Sequence, residues 1–276
     1  MKSFFTFILV VTISFGCSVK PVEVAIITIK GSDSMLQLTE NLAEEYMKIN
    51  TGISIYVYGG GTSEGVKALI RNEIDICTAS RNLKPEETKA LADYYGSVGL
   101  FYLVAKDALC VYINPHNPVK NLTSDQLKRI FECKLTNWKD LGGRDQKINT
   151  VIRNLNSGTH FYFQEHILEG NEYCTEAVIE PTTRSVIEFI ENNPGAIGYG
   201  SIGYKGDIVF AKIDGIEPSE KNAQNDTYPI TRYLHFFTTQ LPKGAVKEFV
   251  NWVLSPDGQR IVKQSGFIPL WEIPPK

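Results

Sequence analysis

Three segments of this sequence set glycine and small hydroxyl residues between an apolar run and a helical pattern. They are Gly31-Ser32-Asp33-Ser34-Met35, Gly59-Gly60-Gly61-Thr62-Ser63-Glu64-Gly65 and Asn156-Ser157-Gly158-Thr159. A helix start exposes backbone N–H groups that lack intrahelical partners, and the macrodipole adds partial positive charge there. Glycine permits close approach and the hydroxyls can donate, so such a turn suits an oxyanion. Arg153 ends an apolar stretch four residues before Ser157, and its planar fork of donors matches a tetrahedral oxyanion. Ser80-Arg81, after Ile74 to Thr78, is a second site for an arginine of this kind. The structural alternatives are ordinary. Ser or Thr caps a helix, Ser34 with Gln37 fits a capping box, Arg153 pairs with a surface carboxylate, and Arg81 braces a loop. Three such turns in one chain favour the binding reading.

Catalytic patterns are sparse. The chain has no Gly-x-Ser-x-Gly elbow and no His-Glu-x-x-His, and Gly59 to Gly65 lacks the Gly-Lys-Ser/Thr ending of a P-loop. Of His116, His160, His166 and His235, only His160 lies beside a hydroxyl turn, and the sequence near it supplies no Asp or Cys partner. No metal and no cofactor is expected. The spacing of Cys77, Cys110, Cys133 and Cys174 fits no zinc pattern. Cys133 with Cys174 is the first disulfide pair to consider, whereas Cys77 and Cys110 sit in apolar runs as small buried hydrophobes.

The elements that must position these turns alternate. Val22 to Ile29, Ile53 to Tyr58, Ile74 to Thr78 and the long stretch Val98 to Ile113 read as strands. Ser34 to Lys48, Glu64 to Arg71 and Pro85 to Tyr95 read as helices between them, with Met35, Leu38, Leu42 and Tyr46 on one stripe. A second set follows Pro115 and Pro118. It has helices at Thr123 to Phe131, Thr159 to Leu168 and Ser185 to Asn192, and strands at Thr150 to Leu155 and Ala196 to Tyr199. Gly215 to Tyr228 is polar and reads as a surface excursion, followed by an extended Tyr233 to Thr238 and a final helix, Ala245 to Leu254. The pattern predicts an α/β fold of two lobes, each a mainly parallel sheet flanked by helices, with two crossing strands as a hinge and a ligand cleft between the lobes. The expected division is 17–108 with 232–276 as lobe I and 109–231 as lobe II, the hinge strands lying near 105–113 and 230–238.

At 276 residues with 43% hydrophobic and 21% charged content the chain is globular, and its net charge of −3 argues against a nucleic-acid partner. Residues 1–16 read as a signal peptide. Lys2 precedes an apolar run from Phe4 to Phe15 that is too short to cross a membrane. Ser14-Phe15-Gly16-Cys17 resembles the lipobox of bacterial lipoproteins, with Cys17 as lipid anchor. An ordinary secretory peptide with a cysteine nearby is the alternative.

Over nearly the whole mature chain the sequence resembles the phosphate-binding protein of bacterial phosphate ABC transporters. The stretches that carry the resemblance include the three turns, Asp75-Ile76 with Ala79-Ser80-Arg81, and Arg153. Asn137-Trp138, Pro194 to Tyr199, Tyr228-Pro229-Ile230-Thr231-Arg232 and Leu254 to Gln259 complete them. The resemblance implies a two-lobe, hinge-closing periplasmic binding fold (type II-like) without catalysis. Its ligand would be inorganic phosphate, and its partner the permease of a phosphate ABC transporter. The protein would be a monomer, exported and held to the membrane by its N-terminal lipid. By position it puts phosphate donors on Ser34 with the backbone of Met35, on Thr62 and Ser63, and on Arg153, Ser157, Gly158 and Thr159. Ser80 stands where well-known members carry an aspartate that accepts from protonated phosphate, and Leu155 where they carry an acidic residue. Asp33 is the nearest carboxylate that could take the acceptor role. Alternatively it caps the helix at Ser34 or braces Arg81. Competing readings are a receptor for another tetrahedral oxyanion such as sulfate, a secreted phosphatase-like hydrolase, and an adhesin or sensor that kept the fold.

Overall fold

A computed structural model describes residues 24–273, so the leader and Cys17 lie outside the described residues. Strand β1 (Ala25–Gly31) leads through a tight turn at Asp33–Met35 into helix α1 (Leu36–Ile49). Strand β2 (Ile53–Tyr58), α2 (Thr62–Ile70), β3 (Ile76–Ala79) and α3 (Pro85–Tyr95) follow. Leu38, Leu42 and Tyr46 recur at every fourth position of α1 and are buried, which is why the segment folds as a helix against the sheet. In α3, Pro85 opens the first turn, Glu87 accepts from the Lys84 N–H at 2.8 Å, and Gly96 closes the helix at φ 62°.

The long strand β4 (Leu100–Ile113) then carries the chain into a second set. This set holds β5 (Asn121–Leu122), α4 (Ser124–Phe131), β6 (Asn149–Arg153), α5 (Gly158–His166), β7 (Val178–Glu180) and α6 (Thr183–Asn192). It continues with β8 (Ala196–Ser201), β9 (Val209–Ile213) and α7 (Glu220–Gln224). Strand β10 (Thr231–Thr238) returns the chain to the first set, which ends on α8 (Gly244–Val253) and α9 (Pro256–Gln264). The last two correct the expectation of one final helix, because Ser255 caps a new helix with Pro256 in its first turn. The expected excursion after Gly215 holds α7 and buries Ala223 and Tyr228.

The strands follow the order β2-β1-β3-β10-β4-β8-β6-β7, with β9 beside β4 and β5 beside β9. Pairs β1/β2, β1/β3, β6/β7, β6/β8 and β5/β9 are parallel. Every antiparallel pair among the described residues includes β4 or β10. Strand β4 pairs with β10 from Leu100 to Ala108 and with β8 from Leu109 to Ile113, so it changes partners at one step. Two cores result. One gathers β1, α1, β10, α8 and α9 around Ile27, Leu42, Phe236 and Phe249. The other gathers the second half of β4, α4, α5, α6 and β8 around Phe131, Phe163, Ile187 and Tyr199. A disulfide joins Cys133 to Cys174, and Cys77 and Cys110 are buried free thiols.

Candidate functional site

The three hydroxyl turns meet between the two cores. The first follows β1, the second opens α2 and the third opens α5. Asn156 of the third turn accepts from the Ser63 N–H of the second at 3.1 Å, a backbone hydrogen bond from one set of elements to the other. Two glycines make this approach possible. A Cβ on Gly61, at φ +94°, would lie 2.4 Å from Asn156 O, and one on Gly158 would lie 2.5 Å from Thr62 Oγ1 and 2.6 Å from Ser80 Oγ. The turns are therefore shut on one another. Ser34, Thr62, Ser80 and Thr159 are all at or below 1% exposure.

Inside this contact the hydroxyls are linked. Ser32 Oγ lies 2.9 Å from Ser34 Oγ and donates to Ser80 Oγ at 3.0 Å, while the Ser80 N–H donates to Thr62 Oγ1 at 3.3 Å. Ser157 caps α5, its hydroxyl accepting from the His160 N–H at 3.3 Å. Gly158 and Thr159 form the first turn of that helix, and Met35 is fully buried behind the first turn. Ser63 is the outlier. It is only half-buried, and its hydroxyl accepts from Arg81 at 3.1 Å on the outer side of the turn.

The arginines sort by what they hold. Arg81 forks onto both carboxylate oxygens of Glu87 at 2.7 Å, so it braces the loop before α3. Asp33 does not brace it. Asp33 Oδ2 accepts from Arg153 Nη2 at 2.8 Å, a buried pair between the two sets of elements. Nor does Asp33 cap a helix. The tight turn starts at Ser32 without a side-chain cap, and Ser34 lies inside that turn, so its predicted capping box with Gln37 does not form. Asp33 Oδ1 receives only a 3.4 Å contact from the Gly60 N–H. Arg153 also donates to Thr183 Oγ1 at 2.9 Å and to Pro181 O at 2.8 Å. Its guanidinium is thus drawn toward Asp33 and the start of α6, not straight at the α5 turn as its strand position suggested. Its Nε is buried without a partner. Burial lowers the Arg153 pKa and the adjacent Asp33 opposes that effect, as expected for a desolvated cation held by one carboxylate.

A third arginine stands in the middle of the cluster. Arg232 lies on β10 opposite Asp107 on β4, pairs with Asp107 Oδ2 at 2.9 Å, and reaches Ser34, Ser80 and Thr159. The sequence marked it only as the end of the Tyr228 to Arg232 run. The signal that could have found it is a lone cation in an otherwise apolar strand pattern, Tyr233 to Phe237 following it directly.

Hydrolytic chemistry has no assembled pair here. The His160 ring donates through Nδ1 to Arg153 O at 2.7 Å, so it is not directed at the Ser157 hydroxyl, and burial depresses its pKa. Among the described residues no three of His, Cys, Asp and Glu come together as a metal site, and no helix is long and apolar enough to cross a membrane. Beside the cluster runs an open groove of about 690 Å³, lined by Arg81, Lys84, Phe161, Tyr162, His166 and Arg232 among others.

The chain is similar to known proteins along most of its length. A family model described as the PBP superfamily domain matches residues 18–257. The chain is 35% identical over 253 residues to the phosphate-binding protein PstS of Bacillus subtilis, covering 90% of this chain and 81% of that protein. Among solved structures, it superposes at a TM-score of 0.83 on a substrate-binding protein from Clostridium perfringens with bound phosphate. The two are 31% identical, over 89% of this chain and 100% of that one. An ABC-type phosphate transport receptor from Vibrio cholerae aligns at 0.72 with 28% identity, over 88% and 99%.

Proposed function

For a chain that belongs to the PBP superfamily, and within it to the family of phosphate-binding proteins named PstS, we propose that the function is capture of inorganic phosphate between the lobes and delivery to an ABC transporter permease. The observation that carries the reading is the buried cluster of Ser34, Thr62 and Thr159 at three helix starts with Ser80 just after β3, and Arg153, its Nε unpartnered, is held next to the first turn by Asp33. A tetrahedral oxyanion has up to four oxygens to satisfy. Hydroxyls, the backbone N–H groups of Gly158 and Thr159, and one guanidinium edge supply donors without a net positive field, whereas the Met35 N–H, expected from the resemblance to be a donor, is already engaged by Ser32 O at 3.0 Å. The protein is a binder and not an enzyme on this reading. Ser157 contributes by capping α5 and setting that turn, whereas Ser63 and Arg81 form its outer wall.

On this reading the lobes divide as the sequence led us to expect, lobe I ending at 108 and resuming at 232, lobe II spanning 109–231, with β4 and β10 as the hinge. The partner switch within β4 supports that division. Selectivity rests on Asp33. Protonated phosphate must donate one hydrogen bond and sulfate donates none, and Asp33 Oδ1, one residue before Ser34, is engaged only by a 3.4 Å contact from the Gly60 N–H. Titration calorimetry of the ligand-stripped protein tests the function. Phosphate should bind in a one-to-one complex and sulfate at least about a hundredfold more weakly, a difference of about 2.7 kcal/mol. Equal affinity would replace phosphate by a general oxyanion, and no heat from either would end the reading.

The protein is exported as a monomer and is tethered to the membrane through a lipid on Cys17. The lipobox-like Ser14 to Cys17 supports this. Cys17→Ser should lose acyl labelling and membrane partition, and a variant that keeps both would contradict the anchor.

A further inference from the structure

Arg232 makes more contacts around the hydroxyl cluster than any other side chain, yet its charge is already matched. Its Nε and Nη2 both lie on Asp107 Oδ2, at 3.0 and 2.9 Å. Asp107 in turn accepts from Ser201 Oγ at 2.6 Å and from the Ile202 N–H at 3.2 Å, which ties the carboxylate to the end of β8. Both side chains are at or below 1% exposure. A guanidinium clamped in this way cannot swing toward a ligand, and its positive charge is offset before any anion arrives.

The remaining donors point at the cluster. Nη1 donates to Ser80 O at 3.3 Å and to Thr159 Oγ1 at 3.1 Å, and Nη2 reaches Ser34 Oγ at 3.4 Å. A hydroxyl that accepts from a cation must turn its own proton elsewhere; Ser34 gives its proton to Ser32 Oγ at 2.9 Å, because Ser32 donates its own to Ser80, so an arriving anion has to take over that bond. Ser34 stands in the turn after β1 and Thr159 in the turn that opens α5, so the two hydroxyls come from opposite sides of the cleft. The Tyr162 ring, 5.6 Å from the guanidinium carbon, packs against it from α5.

Building on the phosphate reading above, we propose that Arg232 is a positioning residue. From the hinge strand it holds the Ser34 and Thr159 hydroxyls as donors to the anion, so that both are set only when the lobes are closed. It acts through these two side chains by fixing their direction, not by adding net charge. Because its partner Asp107 sits at the step where β4 changes sheet partners, the same pair ties hinge geometry to donor geometry.

A double-mutant cycle tests this. Phosphate affinity is measured by calorimetry for the unchanged protein, Thr159→Val, Arg232→Lys and the double variant, with the ligand-free unfolding midpoint of each. Lysine keeps a cation for Asp107 but cannot span the hydroxyls. Each single variant should lose at least about tenfold in affinity, and the double variant should be no more than about threefold weaker than the worse single one, because the two changes remove one interaction. Losses that multiply, or an Arg232→Lys effect under about threefold, would overturn the inference. A merely structural role would lower the ligand-free midpoint and leave the losses multiplicative. Should Arg232→Lys not fold, Arg232→Gln combined with Asp107→Asn, which leaves no buried charge unpaired, supplies the same cycle with the same criteria. Failure of the unchanged protein to bind phosphate would sink the functional reading itself, a result distinct from multiplicative losses.

Discussion

Arg153 and Asp33 hold each other across the cleft at 2.8 Å, and both are nearly buried. Such a pair contributes little net stability once desolvation is counted, but removing one partner strands the other. The Arg153→Ala variant alone would therefore mix two effects, loss of an anion donor and creation of an unpaired Asp33. Arg153→Ala should weaken phosphate by at least about a hundredfold, since charge-assisted contacts in a closed site are costly to remove. The informative comparison is Arg153→Ala with Asp33→Ala. If Arg153 touches the anion through its free Nε, the double variant stays at least about tenfold weaker than Asp33→Ala. Calorimetry that finds those two equal would reduce Arg153 to a counter-ion for Asp33.

At the scale of elements, what the sequence made legible and what it hid have physical reasons. Glycine and hydroxyl punctuation marks helix starts locally, so the turns at Ser34, Thr62 and Gly158 could be read directly. The α3 limits could be read in the same way from Pro85 and Gly96. The Ser34 capping box failed because the chain makes one tight turn at Asp33–Met35 before α1, and propensity rules do not see that extra turn. Strands β5, β7 and β9 span two, three and five residues and carry little periodicity of their own. They exist because neighbouring strands supply hydrogen bonds. The break between α8 and α9 had a readable signal in Ser255-Pro256. The Arg232–Asp107 contact had none, since its partners lie 125 residues apart and meet only through the β10/β4 register. The same holds for Arg153 with Asp33, 120 residues apart, which is why the sequence aimed Arg153 at its neighbouring turn.

For the whole molecule, two cores joined by β4 and β10 leave the polar cluster as the place where the halves touch. A fold of this kind can open by bending at two strands without disturbing either core. Ser34, Thr62, Ser80 and Thr159 would then meet water together and be buried together, which lets closure and anion capture be one event. The adjacent open groove past Arg81 and Lys84 is the rival location for an anion. A crystal structure of the protein grown with phosphate separates the two most directly. The account predicts one phosphate enclosed between the turns, its oxygens within about 3 Å of Ser34 Oγ, Thr62 Oγ1, Thr159 Oγ1 and Arg153 Nε. Phosphate seated in the groove against Arg81 and Lys84, with the hydroxyl cluster left closed on itself, would contradict it.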